Sequence, residues 1–477
     1  MNKELLKEQA YINGQWIAAD TTFEVDNPFD NGVIASVTDC TVEHAQQAIN
    51  AASDAFKTWS KTTSKERSKF LLSWNDLIIE HADDLAELLT IEQGKPLQEA
   101  KNEILYGASY IKWFAEEALR INGDLLPSPD GEKQIQIHKL PVGVVGIITP
   151  WNFPQAMIAR KVAPALAAGC TVVIKPASET PLSALAMAEL ADQAGIPAGV
   201  INVVPSTASS DIGKALTSSP VVRKISFTGS TAVGKTLMAQ AADNVQKVTM
   251  ELGGNAPFIV FDDANIDSAI EGLMASKFRN SGQTCVCANR IFVHETLYEE
   301  FIKRLGNKVS ELTLGNGLTE DVQITALINQ KGIDKVLRLI DQATESGAEI
   351  LVGGSPSKEF KNIINPTVLS KVNKDMDIAC EEIFGPVIAL IPFSDDDEVI
   401  AAANNISAGL ASYAYTEDRH RINRLIQELE YGMVGINTGK LSNETAPFGG
   451  VKESGMGREG SKYGISDYLD IKYACIK

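Results

Sequence analysis

The chain has 477 residues, of which 44% are hydrophobic and 22% are charged, an ordinary composition for a globular protein of two or three domains. Its formal net charge of -18 argues against nucleic acid or an anionic membrane surface as a partner, because both favour basic patches. The first residues contain no apolar signal core, and no apolar run is long enough to span a membrane, so we expect a cytoplasmic protein.

The cysteines and histidines predict neither a disulfide framework nor a metal site. The six cysteines include no CxxC pair, and there are only five histidines. Both kinds of site need such residues in clusters, so we expect no metal. Cys285 and Cys287, two residues apart, are the exception.

The first 140 residues are expected to form short strands and then helices. Residues 8–25 have the turn signals of short strands. From Thr41, a candidate N-cap, to about residue 120 the apolar residues recur at helical spacing, and the break at 94–96 indicates three or four helices. Residues 134–140 alternate in polarity, as in an exposed strand or one paired with another subunit.

The next hundred residues alternate between apolar runs and helical patterns. This alternation predicts parallel strands with right-handed crossovers, hence an open, doubly wound sheet that binds ligands at the carboxyl ends of its strands. The predicted strands are 142–148, 171–174, 200–204, 224–227 and 245–250, and the predicted helices are 154–168, 180–194, 209–217 and 231–242.

A second α/β unit follows, with Cys285 near its start. Its predicted strands lie near 257–261, 289–294, 349–352, 365–369, 387–391 and 410–415, and its helices near 266–279, 296–312, 331–346 and 395–405. The chain closes with an alternating segment, 467–476, which we expect to pair with residues 134–140 of a neighbouring subunit.

A polar, glycine-bearing loop within residues 278–290 presents Cys285 between a predicted helix and a predicted strand. A thiolate attacks carbonyl groups well but needs a nearby cation or helix end to form at neutral pH, and Arg279 can supply the cation. The alternative is that Cys285 is a small buried hydrophobic residue, as free cysteines usually are. No histidine stands near Cys285 or in the strand-end loops, so a Cys–His hydrolase would lack its base.

Two polar residues at predicted strand ends suit the chemistry of a nucleophilic cysteine. Asn152 lies in a loop stiffened by two prolines, where its amide can point a fixed donor at a developing oxyanion, although an ordinary asparagine turn fits the same sequence. Glu251 ends a buried strand, where a carboxylate is costly unless it is paired or functional. We interpret Glu251 as a general base.

A glycine-bearing turn and a lysine indicate a nucleotide site. Residues 229–234 follow a strand and open a helix, so their N–H groups can hold a pyrophosphate, although the pattern is not GxGxxG and fits a plain N-cap equally well. Lys175 ends the second strand, where a cation accepts a 2′-phosphate, and Ser178 adds a hydroxyl. Glu179 counts against a phosphate, and a solvated Lys175 is the alternative.

Four motifs in chain order resemble those of the aldehyde dehydrogenase family, and the match covers essentially the whole chain. The resemblance implies that Cys285 is the nucleophile, that Asn152 and the Cys285 backbone N–H form the oxyanion hole, and that Glu251 activates the deacylating water. It also implies an α/β fold with a doubly wound, Rossmann-type cofactor domain, a second α/β catalytic domain and a small β oligomerisation element. The motifs are Pro150-Trp-Asn-Phe-Pro154, Met250-Glu-Leu-Gly-Gly-Asn-Ala-Pro257, Gly282-Gln-Thr-Cys285 and Glu381-Glu-Ile-Phe-Gly-Pro386.

The resemblance also assigns domains and a cofactor. The cofactor-binding domain is 1–120 with 141–252, the catalytic domain is 253–445, and the oligomerisation element is 121–140 with 446–477. NADP is implied over NAD, because members that prefer NAD tend to carry an acid at the position of Ser178. Glu382 is implied to grip the nicotinamide ribose and Phe384 to border the ring. The full set of implied cofactor contacts is Pro150, Trp151, Lys175, Ser178, Gly229, Ser230, Gly234, Leu252, Glu382 and Phe384.

Within the family, the segments that contain Arg160, Arg279 and Ser442 are most similar to the succinate-semialdehyde dehydrogenase branch. The resemblance implies that these three residues hold the distal carboxylate of the substrate, for which a planar guanidinium is well suited. The alternative is that both arginines form structural salt bridges. Glutarate semialdehyde differs by one methylene, worth only about 1–3 kcal/mol in a pocket, so this substrate and a broader aldehyde range stay open.

We therefore expect a homo-oligomer, a dimer or a tetramer, that oxidises succinate semialdehyde to succinate with NAD(P). One rival, a nucleotide-binding structural protein, has no need of Cys285, Glu251 and Asn152 together. The other, a CoA-acylating dehydrogenase, has no need of a water-activating base. Cys287 has no role in the cycle: it is either packing or a redox partner that forms a reversible disulfide with Cys285, which the resemblance permits.

Overall fold

The computed structural model describes residue 2 and residues 4–477, which form two large sheets, three small ones and the surrounding helices. The strands are β1 (Ala10–Ile12), β2 (Gln15–Ile17), β3 (Thr22–Asp26), β4 (Val33–Thr38), β5 (Asp124–Pro127), β6 (Gln134–Pro141), β7 (Val144–Ile148), β8 (Thr171–Lys175), β9 (Ile201–Val203), β10 (Val222–Thr228), β11 (Lys247–Glu251), β12 (Ala256–Val260), β13 (Ala288–His294), β14 (Glu349–Val352), β15 (Thr367–Ser370), β16 (Val387–Phe393), β17 (Ala408–Gly409), β18 (Ala411–Tyr415), β19 (Met433–Ile436), β20 (Val451–Lys452), β21 (Gly455–Met456) and β22 (Leu469–Ile476). The α-helices are α1 (Val42–Trp59), α2 (Ser64–Glu80), α3 (Ala82–Gln93), α4 (Leu97–Glu117), α5 (Pro154–Ala168), α6 (Pro181–Gln193), α7 (Ser209–Ser218), α8 (Thr231–Ala242), α9 (Ile266–Lys277), α10 (Glu295–Ser310), α11 (Gln330–Glu345), α12 (Asp377–Cys380), α13 (Asp396–Asn404), α14 (Arg419–Glu428) and α15 (Ser461–Gly464).

The first large sheet is the doubly wound sheet that the sequence predicts. Its strands run in the order β2-β1-β9-β8-β7-β10-β11-β21, and β7 to β11 are parallel. In this sheet β8 and β9 lie on one side of β7. The chain then crosses back, and β10 and β11 lie on the other side of β7. The carboxyl ends of these strands therefore share one edge, with the topological switch between β7 and β10, where open α/β sheets bind ligands.

The second large sheet has the order β14-β15-β16-β13-β12-β18-β19 and is parallel except for β14. Six of its strands lie within about two residues of their predicted positions, because buried parallel strands are continuous apolar runs. The prediction missed β19, which has only four residues and is mostly half-buried. Residues 252–255 join β11 to β12 and so carry the chain from the first sheet to the second.

The N-terminal helices follow the predicted pattern. Thr41 begins α1 in a capping box with His44. Gly94 ends α3 with a φ of 96°, which glycine adopts without strain, and Pro96 precedes α4. The predicted break at 94–96 is confirmed. Among the helices of the described residues, none is both long and apolar enough to cross a membrane.

One of the three small sheets has three antiparallel strands in the order β22-β6-β5. β22 pairs antiparallel with β6 of the same chain, from Leu469 opposite Pro141 to Ile476 opposite Gln134. We expected pairing with a neighbouring subunit, and that expectation was wrong: the Val142 N–H donates to the Tyr468 carbonyl (3.1 Å), which brings the two segments of one chain side by side. Alternation of polar and apolar residues identifies a strand, but it does not show whether the neighbouring strand comes from the same chain or from another subunit.

Candidate active site

A cavity of about 620 Å³ lies where the two large sheets meet. Ten residues that the sequence singled out line it, and they come from the ends of β7, β10 and β11, the loop before β13 and the segment after α12. These ten are Pro150, Trp151, Asn152, Gly229, Ser230, Glu251, Leu252, Cys285, Glu382 and Phe384. The strand-end loops of the doubly wound sheet thus face the cysteine loop of the other sheet.

A larger groove, of about 1220 Å³, lies between the start of α4 and residues 313–323. Its described lining includes acids such as Asp83 and Asp321 but no cysteine and none of the residues predicted for the site. We place the chemistry in the smaller cavity, because that one combines a thiol, an amide and a carboxyl group.

The cysteine loop is held tightly by its neighbours. Asn280 and Ser281, just before it, adopt left-handed conformations with φ of 51° and 52°. The Tyr413 hydroxyl donates to the Val286 carbonyl (2.7 Å). At Gly254 an added Cβ would come within 2.3 Å of the main-chain oxygen of Cys285, so only glycine permits this close approach. These constraints fix where the thiol lies, a prerequisite for a nucleophile.

The Cys285 thiol is half-buried and mostly protonated at neutral pH. Burial raises the pKa of Cys285 to about 12, and the carboxyl groups of Glu382 and Glu251 raise it further. Arg160 and Arg279 oppose this rise without overcoming it. Arg279, proposed as the cation near the thiol, does lower the pKa of Cys285, but desolvation outweighs the effect of this exposed arginine. Activation therefore requires a base.

Glu251 is the group that can serve as that base. It is 3% exposed, and neither carboxyl oxygen has a hydrogen-bond partner among the described residues. Burial and the nearby Glu459 raise the pKa of Glu251 well above its usual value, while Arg160 and Lys161 oppose the rise. A buried carboxyl group without partners is destabilising, so its presence in this cavity indicates a functional role.

Asn152 directs its side-chain amide toward the cysteine loop. The amide nitrogen donates to the Gln283 carbonyl (3.0 Å), two residues before Cys285. A primary amide has two N–H groups, so one stays available to a ligand. The main-chain carbonyl of Asn152 accepts hydrogen bonds from the Lys95 ammonium (2.7 Å) and the Asn280 side-chain amide (3.0 Å), and these bonds hold the backbone of Asn152 in place. A fixed donor beside a thiol is the arrangement of an oxyanion hole.

The turn after β10 can hold a pyrophosphate. Gly229 and Ser230 line the cavity, and the Ser230 hydroxyl caps α8 by accepting from the Val233 N–H (3.4 Å). A Cβ at Gly234 would come within 2.4 Å of the Leu252 side chain, so the start of α8 packs closely on the strand-end loop. The helix N-terminus therefore points free N–H groups and its positive dipole end at the cavity.

Lys175 lies outside this cavity, at the end of β8. Its ammonium donates to the Ser209 hydroxyl (2.6 Å), at the start of α7. Burial lowers the pKa of Lys175 to about 8, and the carboxylates of Glu179 and Asp39 oppose that change. Ser178, half-buried, donates to Glu179 (3.2 Å). The Lys175 ammonium and the hydroxyls of Ser178 and Ser209 suit a bound phosphate, whereas the carboxylate of Glu179 would repel it.

Glu382 and Phe384 form the opposite wall. A Glu382 carboxylate oxygen accepts from the Gly254 N–H (3.1 Å), and burial raises the pKa of Glu382 to about 7. The Phe384 ring meets the Trp151 ring edge to face, with centroids 5.6 Å apart. Phe384 has a φ of 57°, an uncommon conformation for a bulky residue that tends to occur at functional sites.

Arg160 is not free to bind a ligand in this structure. It is 1% exposed, and its guanidinium lies 2.7 Å from a carboxylate oxygen of Glu459, whose other oxygen pairs with Lys161. The Arg160–Glu459 contact is an ion pair without hydrogen-bond geometry. Burial works against the charge and is the largest single effect, but Glu459 together with Tyr106, Tyr110 and Glu251 outweighs it and raises the pKa of Arg160. Arg160 thus forms a salt bridge within the chain, which was the alternative to binding the substrate carboxylate.

The other two residues implied to bind the carboxylate are more accessible. Arg279 is exposed, and its guanidinium lies 4.7 Å from the centre of the Phe153 ring. Ser442 is half-buried and lines a cavity of about 210 Å³ together with Phe448. The ring of Phe448 also contacts the Arg160 guanidinium (4.0 Å), so Arg160 and Ser442 share one aromatic neighbour.

Cys287 faces away from solvent. It is 7% exposed, and its thiol lies 3.6 Å from the carbonyl oxygens of Lys277 and Ala288. Burial raises the pKa of Cys287, and the Lys277 ammonium opposes the rise. The thiol in this structure therefore packs against the end of α9.

The sequence reasoning missed one wall of the cavity. Lys331, Lys335 and Arg338 of α11 line it, and Lys335 donates to the main-chain oxygen of Glu382 (2.5 Å). Arg338 forms an ion pair with Glu381 (2.7 Å). The three cations are spaced i, i+4 and i+7, which places them on one helix face, and that spacing was the available signal.

Comparison with known proteins agrees with this geometry. The aldehyde dehydrogenase family profile matches residues 16–474. The chain is 53% identical to an NADP(+) succinate-semialdehyde dehydrogenase of Escherichia coli (strain K12), covering 100% of this chain and 99% of that one. It is 54% identical to a glutarate-semialdehyde dehydrogenase of Pseudomonas putida, covering 99% and 98%. A crystal structure of succinate-semialdehyde dehydrogenase from Burkholderia pseudomallei superposes with a TM-score of 0.98 at 54% identity, covering 100% and 99%.

Proposed function

We propose that this chain, which belongs to the aldehyde dehydrogenase family, oxidises succinate semialdehyde to succinate with NADP as the preferred cofactor. The observation that carries the proposal is the meeting of Cys285, Asn152 and the unpartnered Glu251 in one cavity at the switch point of a doubly wound sheet. A structural nucleotide-binding protein would not retain a buried carboxyl group without partners.

Cys285 and Asn152 carry the first half of the cycle. Glu251 accepts the thiol proton, and the sulfur attacks the aldehyde carbon to give a thiohemiacetal. The Asn152 amide and the Cys285 backbone N–H stabilise the negative charge that develops on oxygen. Collapse of the thiohemiacetal expels a hydride and leaves a thioester on Cys285.

Glu251 carries the second half. It first releases the Cys285 proton to solvent, and in its ionised form it then takes a proton from a water molecule, which attacks the thioester carbon. The carbon–sulfur bond breaks, the carboxylic acid leaves, and Cys285 regains its proton. Because its pKa is raised by burial and by Glu459, Glu251 holds a proton more strongly than an ordinary carboxylate, which suits a group that must both accept and return protons.

NADP fits the residues at the sheet edge. When bound, the oxidised nicotinamide accepts the hydride. The N-terminus of α8 with Ser230 would hold the pyrophosphate, and Glu382 the nicotinamide ribose. Lys175 and Ser178, joined by Ser209, would hold the 2′-phosphate, which the E. coli relative named for NADP(+) also supports. Leu252 and Phe384 would border the bound cofactor.

The distal carboxylate of the substrate is assigned to Arg279, Ser442 and Arg160. Arg279 is exposed and free to form charge-assisted hydrogen bonds. Arg160 contributes to the same positive field, since it already affects the pKa of Cys285. Glutarate semialdehyde is a second candidate substrate, because a relative at 54% identity carries that name.

The domain roles and the assembly belong to the same proposal. The first large sheet with the N-terminal helices binds the cofactor, and the second carries Cys285. The β22-β6-β5 sheet mediates a dimer or tetramer, because one of its faces carries the exposed Leu126, Ile471 and Tyr473. β21, in the C-terminal segment assigned to this element, nevertheless pairs with β11. Sedimentation of the purified chain tests the assembly, and cell fractionation tests the expected cytoplasmic location.

The decisive experiment is a panel of aldehydes assayed with NAD and NADP in parallel. The proposal expects the highest kcat/KM for succinate semialdehyde with NADP, lower values for glutarate semialdehyde, and much lower values for an uncharged aldehyde of equal length. Absence of reduced cofactor with every aldehyde would refute it. Product release that depends on added CoA would instead identify an acylating dehydrogenase.

A further inference from the structure

The buried pair Lys95 and Glu103 has no role in the cycle above, yet it adjoins the loop that carries Asn152. The side chains of both residues are fully buried, and their charged atoms lie 2.5 Å apart. Removing two charges from water is costly, so such a pair needs further hydrogen bonds to its remaining donors and acceptors. Those bonds lead to residues 152–156.

Lys95 holds the main chain of the Asn152 loop. Its ammonium donates to the Asn152 carbonyl oxygen (2.7 Å) and lies 3.8 Å from the centre of the Phe153 ring. Arg279 contacts the same ring (4.7 Å). Burial lowers the pKa of Lys95, and Glu103 opposes this, so the lysine depends on its partner to stay charged.

Glu103 holds the helix that follows the loop. Its carboxylate accepts from the backbone N–H groups of Gln155 (3.0 Å) and Ala156 (3.2 Å), in the first turn of α5. A carboxylate at this position satisfies orphan donors and interacts favourably with the helix dipole. The Lys95–Glu103 pair therefore fixes both the carbonyl of Asn152 and the helix on its far side.

The same face of α4 also holds the cysteine loop. Glu99, one turn before Glu103, accepts from the Asn280 backbone N–H (2.7 Å). The Asn280 side chain donates to the Asn152 carbonyl (3.0 Å), the oxygen that Lys95 also reaches. The start of α4 is thus bonded to both loops whose spacing sets the distance between amide and thiol.

We propose that Lys95 and Glu103 are positioning residues that hold the Asn152 amide in register with Cys285, an inference that rests on the proposed oxyanion role of Asn152. Without the Lys95 ammonium, the Asn152 carbonyl loses one of its two donors and Glu103 is left buried without a counterion. The loop then shifts, and small displacements of an oxyanion donor slow the chemical step strongly. Apart from Pro150 and Trp151, the assigned cofactor contacts lie on other loops, so cofactor binding is largely retained.

A double-mutant cycle between Lys95→Met and Asn152→Ala tests this, with single-turnover hydride transfer by the full chain as the readout. Lys95→Met is expected to slow hydride transfer about 10- to 100-fold, but less than about threefold in the Asn152→Ala background, because its effect passes through Asn152. The cofactor Kd should stay within about twofold. Lys101→Met, at a partly exposed position on the same helix, is the matched control and should match the wild type.

The proposal would be overturned if Lys95→Met slowed hydride transfer by the same factor with and without Asn152. A general folding defect would give that result, because it acts independently of Asn152. Wild-type hydride transfer in Lys95→Met would also overturn it. If Lys95→Met does not fold, Glu103→Gln, which keeps an acceptor for α5, should show the same dependence on Asn152, and additivity there would overturn the proposal equally. If Asn152→Ala alone leaves hydride transfer unchanged, the oxyanion assignment fails, and the positioning role fails with it.

Discussion

The carboxylate of Glu459 lies 2.7 Å from the guanidinium of Arg160, with only 3% and 2% of the two side chains exposed. The same carboxylate pairs with Lys161. Glu459 therefore balances the charge of Arg160 within the chain, whereas Arg279 keeps an exposed guanidinium. The two arginines assigned to the substrate carboxylate differ in how readily they can accept it.

Arg279→Ala is expected to raise KM for succinate semialdehyde roughly 10- to 150-fold, because a charge-assisted hydrogen bond contributes about 1.5–3 kcal/mol. Arg160→Ala should act in the same direction and also lower the stability, because Glu459 loses one of two partners. KM for butanal should change little in both variants. Steady-state kinetics with both aldehydes measure this, and equal effects on the two substrates would make the arginines structural.

Glu251→Gln should give a burst of reduced cofactor, slower than in the wild type because the thiol has lost its base, and then a stall. Glutamine cannot take a proton from water, so the thioester accumulates and steady-state turnover falls roughly 100- to 10,000-fold. Stopped-flow measurement of the burst, with mass spectrometry of the acylated chain, checks the prediction. Cys285→Ala should show no burst while still binding cofactor. Undiminished turnover in Glu251→Gln would remove the base assignment.

Ser178→Glu should shift the preference from NADP toward NAD. The added carboxylate would stand beside Glu179 and near Lys175, where it repels a 2′-phosphate and can accept from a ribose hydroxyl. The ratio of kcat/KM for NADP to that for NAD is expected to fall at least about tenfold, the effect of one charged contact. Equal use of both cofactors by the wild type would contradict the preference itself.

Alkylation of Cys285 by iodoacetamide should accelerate with pH. The reactive form is the thiolate, and burial raises the pKa of Cys285 to about 12, so the thiolate fraction rises roughly tenfold per pH unit below that value. Peptide mapping between about pH 7 and pH 9 measures the rate. Exposed Cys475 serves as an internal control for the reagent. A plateau within this range would show that the thiol is already ionised.

Cys287→Ala tests the redox pair. We expect peroxide to inactivate the wild type reversibly, because Cys287 can resolve a Cys285 sulfenic acid as a disulfide that dithiothreitol reduces. The variant should recover incompletely. In this structure the Cys287 thiol faces the carbonyl oxygens of Lys277 and Ala288, so it must rotate to reach Cys285. A free Cys287 thiol beside an oxidised Cys285, found by peptide mapping, would exclude the switch.

The sequence by itself determined most strands and helices of both large sheets, though not β19, and it singled out three residues that meet in the cavity, Cys285, Glu251 and Asn152. Buried parallel strands need continuous apolar runs, and their polar termini stand out against those runs, as Glu251 and Lys175 do. A nucleophile loop is also legible, because Cys285 sits among polar and glycine residues. These features are local, so a single sequence displays them.

The tertiary structure decided everything that depends on a partner distant in sequence. Arg160 meets Glu459, Lys95 meets Asn152, and β22 meets β6 of its own chain, none of which is encoded in local spacing. Burial likewise reversed the expected effect on the thiol of Cys285, since desolvation depends on the whole surrounding core. Charge and pKa at a site are properties of packed neighbours, and only the folded chain brings those neighbours together.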